Sequence, residues 1–429
     1  MTIPPAESVH QPSHGFYSRW CDLNAWLATH EALWRPSPFT EPAPHWIRAF
    51  PALADWLDAL DDADCDRYEQ QPVQLATALT HALPELADHL GLPEHRARIA
   101  LPQVTGSADA RAATLPERRA VDMPGRKREQ AGAFAAAITP LVDPVLDWCC
   151  GKGHLARTLA SAGAPSVVGL EWQTPLVADG NGLAERFGDP VRLRAQDVMD
   201  PELAWPEGTH GVALHACGDL HRRLLTRAAD AGAPRLSLSP CCYHLHAQPL
   251  YRPLSDLARG TPGALTVDRD TLRLAVQETV TAPARVQAQT DLARQWRLGF
   301  DELQRTLRQD DEYLPVPPHP THLLQDGFAA FCRWAAARKG LALPDGLDWD
   351  RWRAAGARRL RQVRRHELLR HLFRRPLELW LVLDYAVYLE ERGYRVRLGE
   401  FCERNLTPRN LLLDAIRVFD TPPGPRSRP

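Results

Sequence analysis

The amino-acid sequence predicts an α/β fold built on a seven-stranded, mostly parallel sheet. From Val145 onward, short apolar runs alternate with helical patterns, which is typical of parallel strands connected by helices. The first run ends in a Gly-x-Gly turn that leads into a helix. An apolar helical pattern and two more strand patterns close the region. The sequence thus contains five predicted strands, and two more follow after the apolar helix, which gives seven strands in all.

The elements follow one another in a regular order. The first strand begins at Val145, and a helical pattern over residues 154–160 follows it. The next four predicted strands cover residues 166–171, 191–197, 211–219 and 235–244. A strongly apolar helix over residues 377–391 precedes the last two strands, at 395–401 and 410–416. Ligands of open α/β sheets bind beyond the carboxyl ends of the strands, so unusual residues at those ends are the functional candidates.

The chain is expected to divide into five parts. A helical N-terminal region covers residues 1–119, and its first 13 residues are expected to be disordered. The α/β core covers residues 120–280, and a helical insertion covers residues 281–375. The closing helix and the last two strands occupy residues 376–418, and residues 419–429 form a disordered tail rich in Pro and Arg.

Composition and charge narrow the class of protein. With 44% hydrophobic and 24% charged residues, the chain has the composition of a soluble globular protein. Its apolar stretches are shorter than the ~20 residues of a membrane span, and its N-terminus lacks the parts of a signal peptide. Nine cysteines, an odd number that includes two adjacent pairs, argue against a disulfide framework. We therefore expect a cytoplasmic protein with no membrane contact.

The first strand and the turn after it predict a nucleotide-binding corner. Gly151 and Gly153 let the backbone approach a ligand, and the free N–H groups of the helix N-terminus face it. Asp147 lies just inside the strand, where its carboxylate can accept hydrogen bonds from a ligand. Glu171 ends the second strand about 20 residues after the glycines, the spacing expected of a carboxylate that binds ribose. Asp197, after the third strand, is placed to meet an adenine amino group.

Two cofactors fit this corner, and the remaining alternative is a glycine turn that binds nothing. The spacing Gly151-x-Gly153-x-x-Ala156 matches the dinucleotide fingerprint and would suit NAD, although a lone match of this kind is weak. The second cofactor is S-adenosylmethionine. Asp147 favours it, because sites for this cofactor use an acidic residue within the glycine motif.

Four motifs in order carry a resemblance to a known family. They are residues 147–155 (DWCCGKGHL), 215–220 (HACGDL), 239–244 (SPCCYH) and 407–410 (TPRN), and residues 126–129 (RKRE) fit as well. On these motifs the chain resembles class I S-adenosylmethionine-dependent methyltransferases, and more narrowly the methyltransferase-like family named for a ribosomal RNA adenine dimethylase domain. The resemblance spans roughly residues 120–418 and implies a Rossmann-like fold with S-adenosylmethionine as cofactor. It implies no defined methyl acceptor.

The motifs and the strand-end positions together supply candidate site residues. The expected cofactor-binding residues are Asp147, Cys149, Gly151, Lys152, Gly153, Glu171, Asp197 and His215. Cys149 departs from the general motif, which has glycine there, and its side chain would crowd the methionine part of the cofactor. The candidates for positioning the acceptor or removing its proton are His215, Asp219, Tyr243, His244 and Cys242. Histidines at a sheet end are as often structural, and no residue is assigned to a metal.

Five cysteines lie at the ends of neighbouring predicted strands, namely Cys149, Cys150, Cys217, Cys241 and Cys242. The first interpretation is that they are small buried residues next to a ligand. The second is a metal site with His215 or His244, which no Cys-x-x-Cys spacing supports. The third is a thiolate that attacks a pyrimidine ring, with one cysteine after strand four and another after strand five, as in cytosine-5 RNA methyltransferases.

The segment Arg351–Arg375 contains ten arginines and one glutamate, and its apolar residues keep a helical spacing. Such a face is either solvated surface or a patch that binds RNA or an acidic partner, and both interpretations stay open. The sequence therefore predicts an S-adenosylmethionine-dependent methyltransferase with RNA as the favoured acceptor, and leaves protein and small-molecule acceptors open. The alternative is a non-catalytic cofactor- or RNA-binding module with the same fold. No oligomeric state is predicted.

Overall fold

The computed structural model describes residues 15–277 and 284–418. The segments predicted to be disordered, residues 1–13 and 419–429, lie outside these ranges. Among the helices of the described ranges, none is both long enough and apolar enough to cross a membrane.

Seven strands form one sheet in the order β3-β2-β1-β4-β5-β7-β6. The strands are β1 (Val145–Trp148), β2 (Val167–Glu171), β3 (Val191–Ala195), β4 (His210–Cys217), β5 (Arg235–Cys241), β6 (Tyr394–Glu400) and β7 (Leu411–Arg417). The strands β1 to β5 run parallel, whereas β7 is antiparallel to both of its neighbours, β5 and β6. The prediction of a seven-stranded, mostly parallel sheet is confirmed.

Nine α-helices lie within the described residues up to Ala113. They are α1 (Gly15–Thr29), α2 (Glu31–Trp34), α3 (Trp46–Ala49), α4 (Pro51–Asp58), α5 (Asp62–Gln70), α6 (Pro72–Ala82), α7 (Pro84–His89), α8 (His95–Ile99) and α9 (Ala110–Ala113). Three of them begin at a proline, whose missing N–H and restricted φ suit the first helical position. Asp61 caps α5 by accepting a hydrogen bond from the backbone N–H of Asp64.

Of the remaining α-helices in the described ranges, α10 precedes β1, and the others connect the strands or lie between β5 and β6 in the chain. They are α10 (Gly125–Ile138), α11 (His154–Ser161), α12 (Thr174–Phe187), α13 (Asp219–Asp230), α14 (Asp256–Gly260), α15 (Arg269–Leu272), α16 (Ala284–Arg308), α17 (Phe328–Lys339) and α18 (Trp349–Glu390). The predicted closing helix over residues 377–391 is the C-terminal part of α18, which is continuous through Pro376. A proline inside a helix costs ~3 kcal/mol. The residues from Leu377 to Leu389 are all buried, and this packing offsets that cost.

The described residues form two compact units, each assembled from separated parts of the chain. One unit contains the sheet and comprises the described parts of Met1–Trp26, Ile99–Glu278 and Pro376–Pro429. The other is helical and comprises Leu27–Arg98 and the described part of Thr279–Arg375. The predicted N-terminal region, residues 1–119, is thus divided between the two units.

Contacts of α1 explain why the start of the chain belongs to the unit with the sheet. Trp20 stacks on Trp380 of α18 with ring centroids 5.7 Å apart, and both indoles are fully buried. The side-chain oxygen of Asn24 accepts hydrogen bonds from the Leu265 N–H at 2.8 Å and from the Trp380 indole N–H at 3.1 Å. These contacts join segments that are more than 200 residues apart in the chain, as the positions of Asn24 and Leu265 show.

A buried charge network holds β7 between β5 and β6. Asp414 of β7 is fully buried and accepts hydrogen bonds from Arg235 at 2.8 and 3.1 Å and from the Ser237 hydroxyl at 2.6 Å, both on β5. Arg397 of β6 donates to the same carboxylate at 3.0 Å. Burial alone would raise the pKa of Asp414, but the hydrogen bonds and charge of Arg235, with Ser237 and Arg397, hold it below its ordinary value. The sequence pattern does not predict this network.

Candidate functional site

The turn after β1 has the backbone conformation of a ligand-binding loop. Cys149, Gly151 and Gly153 have φ values of +60°, +55° and +69°, in the left-handed region. A Cβ on Gly151 would meet nothing within 4 Å, so space lies open beside this residue. A Cβ on Gly153 would lie 3.0 Å from the methyl groups of Leu193, so this glycine lets the turn pack against β3.

Asp147 is buried at the end of β1, directly behind the turn. Its Oδ2 accepts a hydrogen bond of 3.0 Å from the backbone N–H of Ala156 in the first turn of α11. Burial raises the pKa of Asp147 to about 7, with a smaller contribution from Glu171, while the Ala156 hydrogen bond acts in the opposite direction. The carboxyl group therefore ionises near neutral pH, and a cation bound beside it would favour its charged form.

Glu171 reaches the same turn from the end of β2. Its Oε2 accepts from the Gly151 N–H at 3.1 Å, and its Oε1 accepts from the Gln173 N–H at 3.0 Å. The spacing of about 20 residues in the sequence thus corresponds to direct contact in the fold. A carboxylate oxygen has two acceptor positions, so each oxygen keeps one for a ligand hydroxyl.

Lys152 and Asp197 lie nearer the surface than the other predicted cofactor residues. The Lys152 ammonium pairs with Asp179 at 3.0 Å and with Asp122 at 3.2 Å. These ion pairs hold the end of Lys152 on the α12 side of the turn. Asp197 is exposed just after β3, and its Oδ1 accepts from the Met199 N–H at 2.8 Å. Trp172, the residue directly after Glu171, is 71% exposed to solvent.

The two cysteines of the turn keep neutral thiols. Burial raises the pKa of Cys149 to about 12, and the nearby carboxylates of Glu171 and Asp147 add to the effect. Burial likewise raises the pKa of Cys150, helped by the same two acids. Cys149 and Cys150 are half-buried, and because a neutral thiol is a poor nucleophile, their raised pKa values argue against the nucleophilic interpretation for this pair.

His215 lies where β4 leaves its regular pairing with β5. The register shifts between Leu214 and Cys217, and His215 has a φ of +72°. Its Nε2 is 3.2 Å from the side-chain oxygen of Gln130 in α10. Desolvation lowers the pKa of His215, and the positive charges of Lys127 and Arg409 lower it further. The imidazole is therefore neutral at physiological pH and can accept a proton.

Asp219 and Tyr243 have the contacts of structural groups. The Asp219 carboxylate accepts a hydrogen bond of 2.7 Å from the Ala247 N–H, which fixes the loop after β5. Tyr243 is buried, and its hydroxyl lies 3.2 Å from Glu378 Oε1 and 3.3 Å from the carbonyl oxygen of Pro240. These contacts favour the structural alternative for both residues, and a role in the reaction stays a prediction.

Cys242 and His244 follow β5 and are half-buried. Cys242 has a φ of +49°, and its sulfur lies near those of Cys217 and Cys241. Hydrogen bonds from the Cys217 and Cys241 thiols lower the pKa of Cys242, and His244 and Arg409 contribute to the decrease. The Nδ1 of His244 makes no hydrogen bond to any residue that the structure describes. Cys242 is thus the thiol of this region that ionises most readily.

Several arginines of the Arg351–Arg375 segment have partners inside the helical unit. Arg359 pairs with Glu302 at 2.7 Å, and Arg364 pairs with Glu69 at 2.6 Å and with Asp66. Arg370 is buried and donates to the carbonyl oxygen of Trp34 at 2.9 Å. The exposed arginines of the segment are Arg351, Arg353, Arg358 and Arg361. Charge available to a partner is therefore concentrated in the first three turns of the segment.

Sequence reasoning missed the groups that come to the β4 end from outside the strands. Gln130 contacts His215 directly, and Lys127 and Arg409 act on it electrostatically. The signal was present, since residues 126–129 and 407–410 belong to the motifs of the resemblance. His221 was also missed; it is fully buried between the Ala216 carbonyl at 3.0 Å and the Tyr385 hydroxyl at 3.2 Å.

Residues 126–249 match a family model described as a methyltransferase domain. No curated protein matches the chain. Among solved structures, the tRNA (uracil-54, C5)-methyltransferase of Pyrococcus abyssi, in complex with S-adenosyl-L-homocysteine, is 18% identical, with 27% of this chain and 29% of that chain covered and a TM-score of 0.23. Magnesium protoporphyrin IX methyltransferase of Synechocystis PCC 6803 is 20% identical, with 26% and 53% covered and a TM-score of 0.22.

Geranyl diphosphate methyltransferase in complex with S-adenosylmethionine is also 20% identical, with 32% of this chain and 60% of that chain covered and a TM-score of 0.24. The chain spans less than two thirds of each of these solved structures. The region matched by the family model contains β1 to β5 and every turn described above except the one that carries Arg409. The α/β sheet is thus the Rossmann-like methyltransferase fold that the sequence predicts, and residues 126–249 are similar to a methyltransferase domain.

Proposed function

We propose that this protein is an S-adenosylmethionine-dependent methyltransferase and that RNA is its acceptor. The observation that carries the cofactor is the pair of buried carboxylates, Asp147 and Glu171, on an open left-handed glycine turn. The match of residues 126–249 to a methyltransferase domain supports the reaction class. The narrower family, named for a ribosomal RNA adenine dimethylase domain, is part of the proposal and rests on the four sequence motifs.

The charges around the turn suit S-adenosylmethionine better than NAD. Three carboxylates lie at the carboxyl ends of neighbouring strands: Asp147 within the end of β1, Glu171 as the last residue of β2, and Asp197 just after β3. S-adenosylmethionine carries a net positive charge, because its ammonium and sulfonium outweigh its single carboxylate, and the three acids of the site attract that charge. The pyrophosphate of NAD would lie at the glycine turn and meet the same negative charges. When bound, S-adenosylmethionine supplies an electrophilic methyl group.

The residues of the chain would then have distinct tasks. Asp147 would pair with the cofactor ammonium, and Glu171 would accept hydrogen bonds from the ribose hydroxyls with its remaining acceptor positions. Asp197 would meet the adenine amino group. His215, neutral and held by Gln130, would orient the acceptor and take up its proton.

The positive charges near His215 support an anionic acceptor. Lys127 comes from the first turn of α10 and Arg409 from the loop before β7, and both act on the imidazole. Phosphate groups of RNA would neutralise these charges while a base reaches His215. The four exposed arginines of Arg351–Arg361 would add contacts to the same class of ligand. A cytoplasmic location completes the proposal, and the free thiols of all nine cysteines support it.

Calorimetric titration with S-adenosylhomocysteine and, separately, with NAD tests the cofactor. We expect binding of the first ligand only, and a loss of at least about tenfold in affinity for Glu171→Ala. Glu185→Ala, an exposed acid on α12, is the matched control and should bind as the unsubstituted protein does. Binding of NAD instead, or equal affinities for Glu171→Ala and the unsubstituted protein, would show that the cofactor assignment is wrong.

Transfer of labelled methyl groups from S-adenosylmethionine to a cell lysate tests the acceptor. The label should be released by ribonuclease and retained after protease treatment, and His215→Ala should reduce transfer by about 10²–10⁴-fold. Label that protease releases would make a protein the acceptor. If His215→Ala transfers methyl groups as fast as the unsubstituted protein, His215 takes no part in the reaction.

The side chain of Cys149 within the glycine turn favours a second candidate function, a non-catalytic module with a methyltransferase fold. A non-glycine residue at φ +60° is unusual, and here it places a side chain within the turn. If the unsubstituted protein fails to bind S-adenosylhomocysteine while Cys149→Gly binds it, the side chain blocks the methionine part of the ligand. RNA binding without methyl transfer would then be the function to measure.

A further inference from the structure

Three cysteines from two strands form a compact group, here named the sulfur cluster: Cys217, Cys241 and Cys242. Their sulfurs all lie within 4.8 Å of one another. The Cys217 and Cys241 sulfurs are 3.6 Å apart, and these two residues are paired across β4 and β5. Among the described residues, no other group of three or more side chains of His, Cys, Asp and Glu meets the same geometric requirement.

Two backbone irregularities bring the three sulfurs together. In a regular strand, adjacent side chains point to opposite faces of the sheet, so Cys241 and Cys242 would diverge. The left-handed conformation of Cys242, at φ +49°, ends this alternation directly after β5. On β4, the register shift between Leu214 and Cys217 re-aims the end of the strand, and His215 has a φ of +72° within it. One left-handed non-glycine residue, Cys242, is thus part of the cluster, and another, His215, lies two residues before Cys217; such conformations are common at functional sites.

The spacing of the sulfurs suits one thiophilic metal ion. Zinc binds cysteine sulfur at about 2.3 Å with tetrahedral geometry, which places two sulfur ligands about 3.8 Å apart. The distances in the cluster, 3.6 Å for one pair and at most 4.8 Å for the others, bracket this value. Thiolate ligands select Zn²⁺ or other soft ions over Mg²⁺ and Ca²⁺, which prefer oxygen.

The surroundings leave one side of the cluster accessible. Cys241 is buried, whereas Cys217 and Cys242 are half-buried. A set of three protein ligands with one coordination position left over is typical of zinc sites that bind an exogenous molecule.

We infer that Cys217, Cys241 and Cys242 bind one Zn²⁺ ion, with the fourth coordination position open to a water molecule or another exogenous ligand. Each thiol that still carries its proton releases it to solvent when its sulfur binds the ion. No electrons are transferred. The sequence alone assigns no metal here, because its spacing lacks a Cys-x-x-Cys pair and the third ligand comes from another strand. This inference goes beyond the proposed methyl transfer and does not depend on it.

Titration of the full chain with Zn²⁺ tests the inference. The protein is purified with a phosphine reductant, stripped of metal with a chelator, and titrated in competition with a chromogenic zinc chelator. We expect one Zn²⁺ per chain. Each of Cys217→Ser, Cys241→Ser and Cys242→Ser should weaken binding at least about tenfold, since even the loss of an outer-shell partner costs about 10–100-fold. Cys21→Ser, a half-buried cysteine of α1, is the control and should keep the affinity.

Substitution with Co²⁺ provides a test that needs no variant. The unsubstituted protein should show the near-ultraviolet absorption of thiolate-to-cobalt charge transfer, and Zn²⁺ should displace it. Absence of this absorption, or zinc binding that is unchanged when all three cysteines are replaced by serine, would overturn the inference. Because neither measurement uses S-adenosylmethionine, failure of the proposed function would not affect the result.

Discussion

The titration of Asp147 leads to a quantitative prediction for cofactor binding. Its carboxyl group is buried at the end of β1, and its pKa is raised to about 7. About 9% of the group is ionised at pH 6 and about 91% at pH 8. A ligand whose ammonium pairs only with the ionised form therefore binds about tenfold more weakly at pH 6 than at pH 8, which corresponds to ~1.4 kcal/mol.

Calorimetric titration with S-adenosylhomocysteine at pH 6, 7 and 8 measures this effect. The matched variant is Asp147→Asn, whose side-chain oxygen can still accept the Ala156 hydrogen bond but carries no charge. The ligand amine titrates identically in both experiments, so the ratio of the two affinities isolates the contribution of Asp147. We expect this ratio to rise about tenfold between pH 6 and pH 8.

Two results would refute the reasoning. If affinity in the unsubstituted protein did not change with pH, Asp147 would not ionise in the range that its burial implies. If Asp147→Asn showed the same pH dependence, another group would be responsible. Glu171→Gln separates position from charge: it should weaken binding at every pH and retain the dependence that Asp147 causes.

Three further predictions concern stability, and each is measured by denaturant unfolding. Asp147→Asn should raise the free energy of unfolding at pH 8 by about 1–4 kcal/mol. The pKa of Asp147 is higher in the folded protein than in the unfolded chain, so the stability present below pH 3.8 is lost as pH rises through about 7. Equal stability of the two proteins at pH 8 would contradict the burial argument. Asp414→Asn should cost about 3–5 kcal/mol because Arg235 stays buried without its charge partner, whereas Asp350→Asn, in an exposed pair with Arg353, should cost less than about 1 kcal/mol. The contribution of Asp414 is complete above pH 3.8 and is lost as pH falls through its lower folded pKa, so Asp414→Asn should flatten the acid limb of the stability curve. Gly218→Ala should cost more than about 2 kcal/mol, because the residue has a φ of +55° and a Cβ would lie 1.8 Å from the Leu245 carbonyl oxygen; Gly260→Ala, where a Cβ meets nothing within 4 Å, is its control.

Much of the sheet could be predicted from local sequence, because strand and helix patterns depend on spacing within a few residues. The positions of β1 to β7, the glycine turn and the acid at the end of β2 all follow from such spacing. Contact between Glu171 and the Gly151 N–H follows as well, since adjacent parallel strands bring their carboxyl ends to one edge. Roles in catalysis could not be predicted in this way, because the same histidine or tyrosine pattern serves structural hydrogen bonds, as the contacts of Tyr243 show.

The sequence by itself therefore determined the α/β elements and the acidic glycine turn, whose signals are local. Only the tertiary structure decided that α18 continues through Pro376, since the burial that offsets the proline comes from packing. Only it paired Arg364 with Glu69 and Asp66, which removes charge that the arginine count suggests is free. The tertiary structure also brought Cys217 close to Cys241 and Cys242. This proximity depends on the pairing of β4 with β5 and on two left-handed residues, and residue spacing in the sequence predicts neither.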